Sequence, residues 1–118
     1  MLVNCRILSK DFLINQKIEN FIRKTPFFSL QENNSNYEND QIIFWDIDTI
    51  NIDILWIKER TIKGCIILFI SSVISEKTIS EMFQNEYFNF TVLKKNIIYS
   101  QFVEEVSTLI DNRIQNSS

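Results

Sequence analysis

Histidine is absent from this chain. That removes histidine-based catalytic triads, histidine general bases and histidine-ligated metals from within these residues. Glycine occurs once, at Gly64, so no glycine-rich loop is available to cradle a phosphate or a dinucleotide. Cysteine occurs twice, at Cys5 and Cys65, each at the start of an apolar run. Both are expected to be small buried hydrophobes in a reducing compartment, with a disulfide as the alternative. No apolar run approaches the roughly 20 residues needed to span a bilayer. The stretch Met1–Lys10 is interrupted by Asn4 and Arg6 and lacks a signal-peptide pattern. Lysine and arginine are scattered, and the net charge of −3 leaves no electrostatic footprint for nucleic acid or an anionic membrane. A cytoplasmic location is expected.

What is present is enough to build a core. Of 118 residues 45% are hydrophobic, and the ten phenylalanines dominate an aromatic share of 13%, which argues for one folded domain. Leu2-Val3 and Arg6-Ile7-Leu8 read as a buried strand. Asp11 then caps a helix with Ile14, Ile18, Phe21 and Ile22 on one face, ended by Thr25-Pro26. A short strand is expected over Phe27–Leu30, and a polar, aperiodic loop over 31–40. Gln41–Trp45 is a continuous apolar run suited to a strand buried on both faces. Ile54, Leu55 and Lys58 belong to a helix that Gly64 closes, Cys65–Ile70 to the next strand, and Ser75 caps a helix bearing Ile79, Met82 and Phe83. Phe90–Leu93 is the fifth strand, and Phe102, Val103, Val106, Leu109, Ile110 and Ile114 form the stripe of the last helix.

Alternation of strands and helices predicts an α/β fold with a parallel sheet and helices on both faces. Such sheets place their sites at the carboxyl ends of the strands, here at Ser9, Lys10, Asp46, Ser71 and Lys94 or Lys95.

Several segments carry a family likeness. Lys24-Thr25-Pro26-Phe27 precedes the second strand, and Phe44-Trp45-Asp46-Ile47-Asp48 ends the third. Asp53 follows, then Phe69 to Ser72, Glu81-Met82-Phe83 and Phe102-Val103-Glu104-Glu105-Val106. In that order and spacing, over about residues 5–113, the chain resembles a response-regulator receiver of the LytR/AlgR type. The resemblance implies a CheY-like (flavodoxin-like) five-stranded parallel sheet in the order 2-1-3-4-5, with the second helix shortened or absent. It implies a receiver domain over 1–114, with 115–118 a polar tail or the start of a linker. Residue by residue, Asp46 matches the phosphoacceptor and Ser71 the hydroxyl residue of the phosphoryl pocket. Lys94 matches the lysine after the fifth strand, with Lys95 as the other register. The switch aromatic falls on Thr91, or on Phe90.

The chain departs from the family where metal would bind. The family's acidic pair is replaced by Ser9 and Lys10, and Asp11 comes one place later. Magnesium favours carboxylate oxygens, and phosphoryl transfer to a carboxylate relies on it. The expected role is therefore that of a degenerate receiver, a pseudo-receiver, with neither cofactor nor metal. It would serve signal transduction or transcription regulation by binding a protein partner or forming a homodimer. A DNA-binding domain in a longer native chain is one expected companion. The alternative is a working, magnesium-dependent phosphoacceptor modified on Asp46 by a histidine kinase. Lys10 is expected to pair with Asp46, together with Lys94, where the metal would sit. Asp48 and Asp53 are the remaining carboxylates near Asp46, but no nucleophile or base accompanies them, so no catalytic set is expected. The partner face is expected on the family's fourth helix, fifth strand and fifth helix, with Tyr87, Phe88 and Tyr99 adding aromatic surface.

Overall fold

The computed structural model describes residues 2–32, 35–84 and 89–117, with side-chain surroundings through Asn112. Five strands, β1 (Val3–Leu8), β2 (Phe28–Leu30), β3 (Ile42–Asp46), β4 (Ile66–Ile70) and β5 (Phe90–Leu93), form one parallel sheet in the order β2-β1-β3-β4-β5. Helices α1 (Phe12–Lys24), α2 (Ile54–Ile62), α3 (Glu76–Met82) and α4 (Tyr99–Ser117) connect or follow the strands. The expected strand order is thus observed.

Side chains alternate across the sheet, so the strands build one core on each of its faces. Ile7, Phe44, Leu68 and Leu93 face α1 and α4, where Ile18, Phe21, Phe102 and Val106 cover them. Ile43, Trp45, Ile67 and Phe69 face α2 and α3, covered by Ile57 and Ile79. Cys5 belongs to the first core and Cys65 to the second. The sheet therefore lies between the two thiols, which are both buried and form no disulfide. Burial, with Asp40 and Cys65 nearby, pushes the Cys5 thiol up to about 12.

Local signals set the boundaries. The Asp11 carboxylate accepts from the N–H groups of Leu13 and Ile14, Asp53 accepts from Trp56, and the Ser75 hydroxyl accepts from Thr78. Gly64 takes φ 94° just past α2, a conformation that a Cβ disfavours. Phe27 adopts φ 69° and so stays out of β2, which begins one residue later than expected. Beyond Ile114 the segment read as a tail continues α4 through Ser117.

Where a receiver would have its second helix, the described residues show only a short 3-10 turn, Tyr37–Asn39. An arginine holds this segment down. Arg6 is 0% exposed, although it lies within the apolar β1. Its Nε and Nη2 donate to the two carboxylate oxygens of Asp40 at 2.5 and 3.2 Å. Its remaining donors reach the Glu32 carbonyl at 2.8 Å, the Ser35 carbonyl and hydroxyl, and the Asn36 carbonyl. The guanidinium also lies 3.9 Å from the centre of the Tyr37 ring. One planar cation thus satisfies the backbone of a loop that has little helix of its own.

Candidate functional site

The carboxyl ends of β1, β3, β4 and β5 meet at one edge, as parallel pairing requires. Asp46 is the last residue of β3 and is 0% exposed. Its Oδ2 accepts a hydrogen bond from the Ser9 hydroxyl at 2.6 Å, and its Oδ1 accepts the Asp48 N–H at 3.2 Å. The Lys95 ammonium stands 3.7 Å from Oδ1. A buried carboxylate needs such partners, because leaving it bare in a low-dielectric interior is costly. Ser9 itself is oriented by the Asp11 N–H, which donates to its oxygen at 3.0 Å.

Asp48 forms a second layer over Asp46. Its Oδ1 accepts from the Ser71 hydroxyl at 2.8 Å, and its Oδ2 accepts from the Ser72 N–H at 3.1 Å and faces the Lys95 ammonium at 3.1 Å. Burial alone raises the Asp48 pKa, but the Ser72 amide, the Ser71 hydroxyl and Lys95 outweigh it and hold the group below its ordinary value of 3.8. For Lys95 burial acts downward. The bond to Asp48 and the charges of Asp46, Asp48 and Asp11 reverse that and hold it above its ordinary 10.5.

These shifts fix the sign of a pH effect. A depressed carboxyl stabilises the fold above its unfolded value and loses that contribution as pH falls through the folded one. A raised lysine stabilises below its unfolded value and loses it as pH rises through the folded one. The pair therefore adds stability between about pH 4 and 10.5. Urea midpoints measured across the acid limb should fall less steeply in Asp48→Asn than in the parent. Identical slopes would remove Asp48 from the acid response.

The cation at the site is Lys95, and this corrects two expectations. Lys94 is exposed, and Lys10 is exposed with only its backbone N–H engaged, donating to Thr49 at 3.0 Å. Among the described residues neither forms an ion pair with Asp46. The reason is the phase of the strands. Asp46 is in step with Phe44, and Lys95 with Leu93, both in the α1–α4 core, whereas Lys94 follows Val92 to the opposite side. Lys17 of α1 fixes the turn by donating from its ammonium to the Lys95 carbonyl at 2.7 Å.

The other predicted residues divide. Ser71 is at the site, buried at the end of β4. Asp53 is away from it as the α2 cap. Tyr87 and Phe88 lie outside the described residues. Tyr99, expected on the partner face, packs against α1 instead: its ring contacts Phe21 and Phe102, and its hydroxyl is 3.1 Å from that of Thr25. As the first residue of α4 it sits over the α1–α4 core rather than toward α3. Thr91 is buried on β5, with its hydroxyl donating to Glu76 at 2.7 Å.

A receiver of this fold would hold magnesium beside the strand-end aspartate, and the residues here do not fit that ion. The space is bounded by a serine hydroxyl and a lysine ammonium, and the Asp46 oxygens are already engaged. Among the described residues no group of three or more His, Cys, Asp or Glu side chains converges as a metal site.

The sheet order and the helices on both faces define a CheY-like receiver fold. The response regulator ChrA of a heme-sensing two-component system shares it, with a TM-score of 0.63 at 12% sequence identity. The match covers 93% of this chain and 57% of ChrA, so the chain spans little more than half the length of that protein. No protein-family model matches the chain, and no curated protein sequence matches it. Among the described residues no helix is long and apolar enough to cross a membrane.

Proposed function

We propose that this domain is a pseudo-receiver of a response regulator, degenerate and of the LytR/AlgR type. It works in signal transduction or transcription regulation by contact with a protein partner or a second copy of itself, through α3, β5 and α4, without phosphorylation and without catalysis. The observation that carries this reading is the state of Asp46. Its carboxylate is buried and held by Ser9, by Lys95 and by the Asp48 amide, where a phosphoacceptor needs a free oxygen and a metal to offset charge on the transferring group. The likeness to the fold of ChrA supports the signalling context, and the partner face is the one that the family resemblance of the sequence implies.

Amide NMR of the folded domain, titrated with magnesium and then beryllofluoride, tests the proposal. The expected result is no specific shift at Asp46, Ser71 or Lys95. Saturable shifts at those three residues that require both magnesium and beryllofluoride would establish a working phosphoacceptor instead.

A further inference from the structure

Among the described residues β5 has one neighbour in the sheet, β4, and so forms an edge. The Ser71 N–H donates to the Leu93 carbonyl at 3.0 Å, so Leu93, and Thr91 two residues earlier, turn their backbone groups toward β4. Val92, between them, turns its N–H and carbonyl to the edge, where such groups are a template for another strand. A groove runs along each side of that edge. One, about 480 Å³, lies against α4 and is lined by Val92, Lys94, Gln101, Glu104 and Glu105. The other, about 330 Å³, lies against the start of α3 and is lined by Val73, Ile74, Glu76, Val92 and Lys94. The charged side chains of the two grooves are three glutamates and one lysine. One of those glutamates crosses the edge. The Thr91 side chain is in step with Leu93, which belongs to the core under α1 and α4, whereas α3 packs on the opposite face. Glu76, the first residue of α3, still accepts from the Thr91 hydroxyl at 2.7 Å, so its side chain passes round the outside of β5. Glu105 of α4 stands 3.4 Å from the same oxygen. The hydroxyl has one proton, and the shorter bond takes it. Two carboxylates thus meet at the edge over one proton, an arrangement that a cation between them would stabilise.

We propose that the β5 edge docks an extended, basic segment of a partner protein, which adds as a further strand beside Val92 and sets its Lys or Arg side chains among Glu76, Glu104 and Glu105. Backbone pairing at Val92 supplies affinity, and the glutamates select the sign of the partner. Glu76 is the strap over that edge: while it holds Thr91 the edge is closed, and the partner's cations draw it off. A second copy of this chain is the disfavoured occupant, because a twofold contact here sets glutamates against glutamates. The inference rests on the reading of α3, β5 and α4 as the partner face, and it adds the chemistry of the partner and the side chain that gates it.

The full chain is to be titrated with a capped peptide of alternating Lys and Val, and with its Glu–Val counterpart, and followed by amide NMR. Saturable shifts centred on Val92 and Lys94 are expected with the Lys–Val peptide and none with the Glu–Val peptide. Glu104→Gln/Glu105→Gln, at two exposed positions, should weaken that binding at least about tenfold. Thr91→Val keeps every charge and frees the strap, so it should bind the Lys–Val peptide more tightly than the parent does. No saturable shift at Val92 in either the parent or Thr91→Val would overturn the proposal, as would equal binding of the two peptides. Shifts confined to α3 and α4, with Val92 unmoved, would leave the partner face standing and remove the edge pairing. Shifts at Val92 and Lys94 that grow with protein concentration in the absence of peptide would assign the edge to a second copy instead. Neither peptide calls on magnesium or beryllofluoride, so the reading of Asp46 stands or falls by its own titration.

Discussion

Replacing Arg6 with Met is expected to cost the domain about 3–5 kcal/mol of stability. Arg6 and Asp40 are both within the protein interior, with side chains 1% and 0% exposed. Removing the guanidinium leaves the Asp40 carboxylate buried without its cation. It also strips donors from the carbonyls of Glu32, Ser35 and Asn36. A buried ion pair is weak evidence of net stabilisation against a hydrophobic alternative, but breaking one is costly because the surviving charge is uncompensated. Urea unfolding of Arg6→Met should therefore show a much lower midpoint. The double variant Arg6→Met/Asp40→Asn should recover part of the loss, because no bare carboxylate remains. A loss below about 1 kcal/mol in the single variant would show that the loop over 31–41 is held by other means.

Lys95→Met is expected to cost about 2–3 kcal/mol, and Lys94→Met to stay within about 0.5 kcal/mol. The contrast between neighbouring lysines is the test. Lys95 is 24% exposed and is shared by Asp46, which is fully buried, and Asp48. Its partial exposure and the bonds that Asp46 keeps from Ser9 and the Asp48 amide place the cost below that of a fully buried pair. Adding Asp46→Asn to Lys95→Met should restore stability, since the amide carries no charge. Equal effects of the two lysine substitutions would place the strand phase of β5 in error and return Lys94 to the site.

Asp46 and Asp48 sit where two layers of one device meet. Asp46 faces Lys95 from within the sheet, and above it Asp48 joins Lys95 to the Ser71 hydroxyl and the Ser72 N–H. That arrangement is the physical content of the pseudo-receiver proposal.

Much of this architecture was legible in the chain itself. Unbroken apolar runs at Ile42–Trp45 and Ile66–Ile70 marked the central strands, because a strand covered on both faces has no polar side to display. Asp11, Ser75 and Gly64 announced helix ends through local backbone chemistry. The position of Asp46 and Ser71 at strand ends followed from the alternation of elements alone. Arg6 offered a signal that went unused: a charged residue inside an apolar strand implies a buried partner. Its partner Asp40 lies 34 positions away in a segment without periodicity, so only the fold brings them together. Lys94 and Lys95 are indistinguishable locally, because every residue of Phe90–Leu93 suits either face of the sheet. Their roles were decided by which neighbours the two faces meet. Tyr99 was drawn to α1 for the same reason. The sequence by itself determined which segments become strands and helices and which polar residues reach the site edge, because those follow from side-chain periodicity and capping. The tertiary structure alone decided which lysine faces Asp46, and that Asp48 turns back onto Ser71. Both depend on the phase of one strand against another and on the path of a loop, and neither is encoded within a few residues.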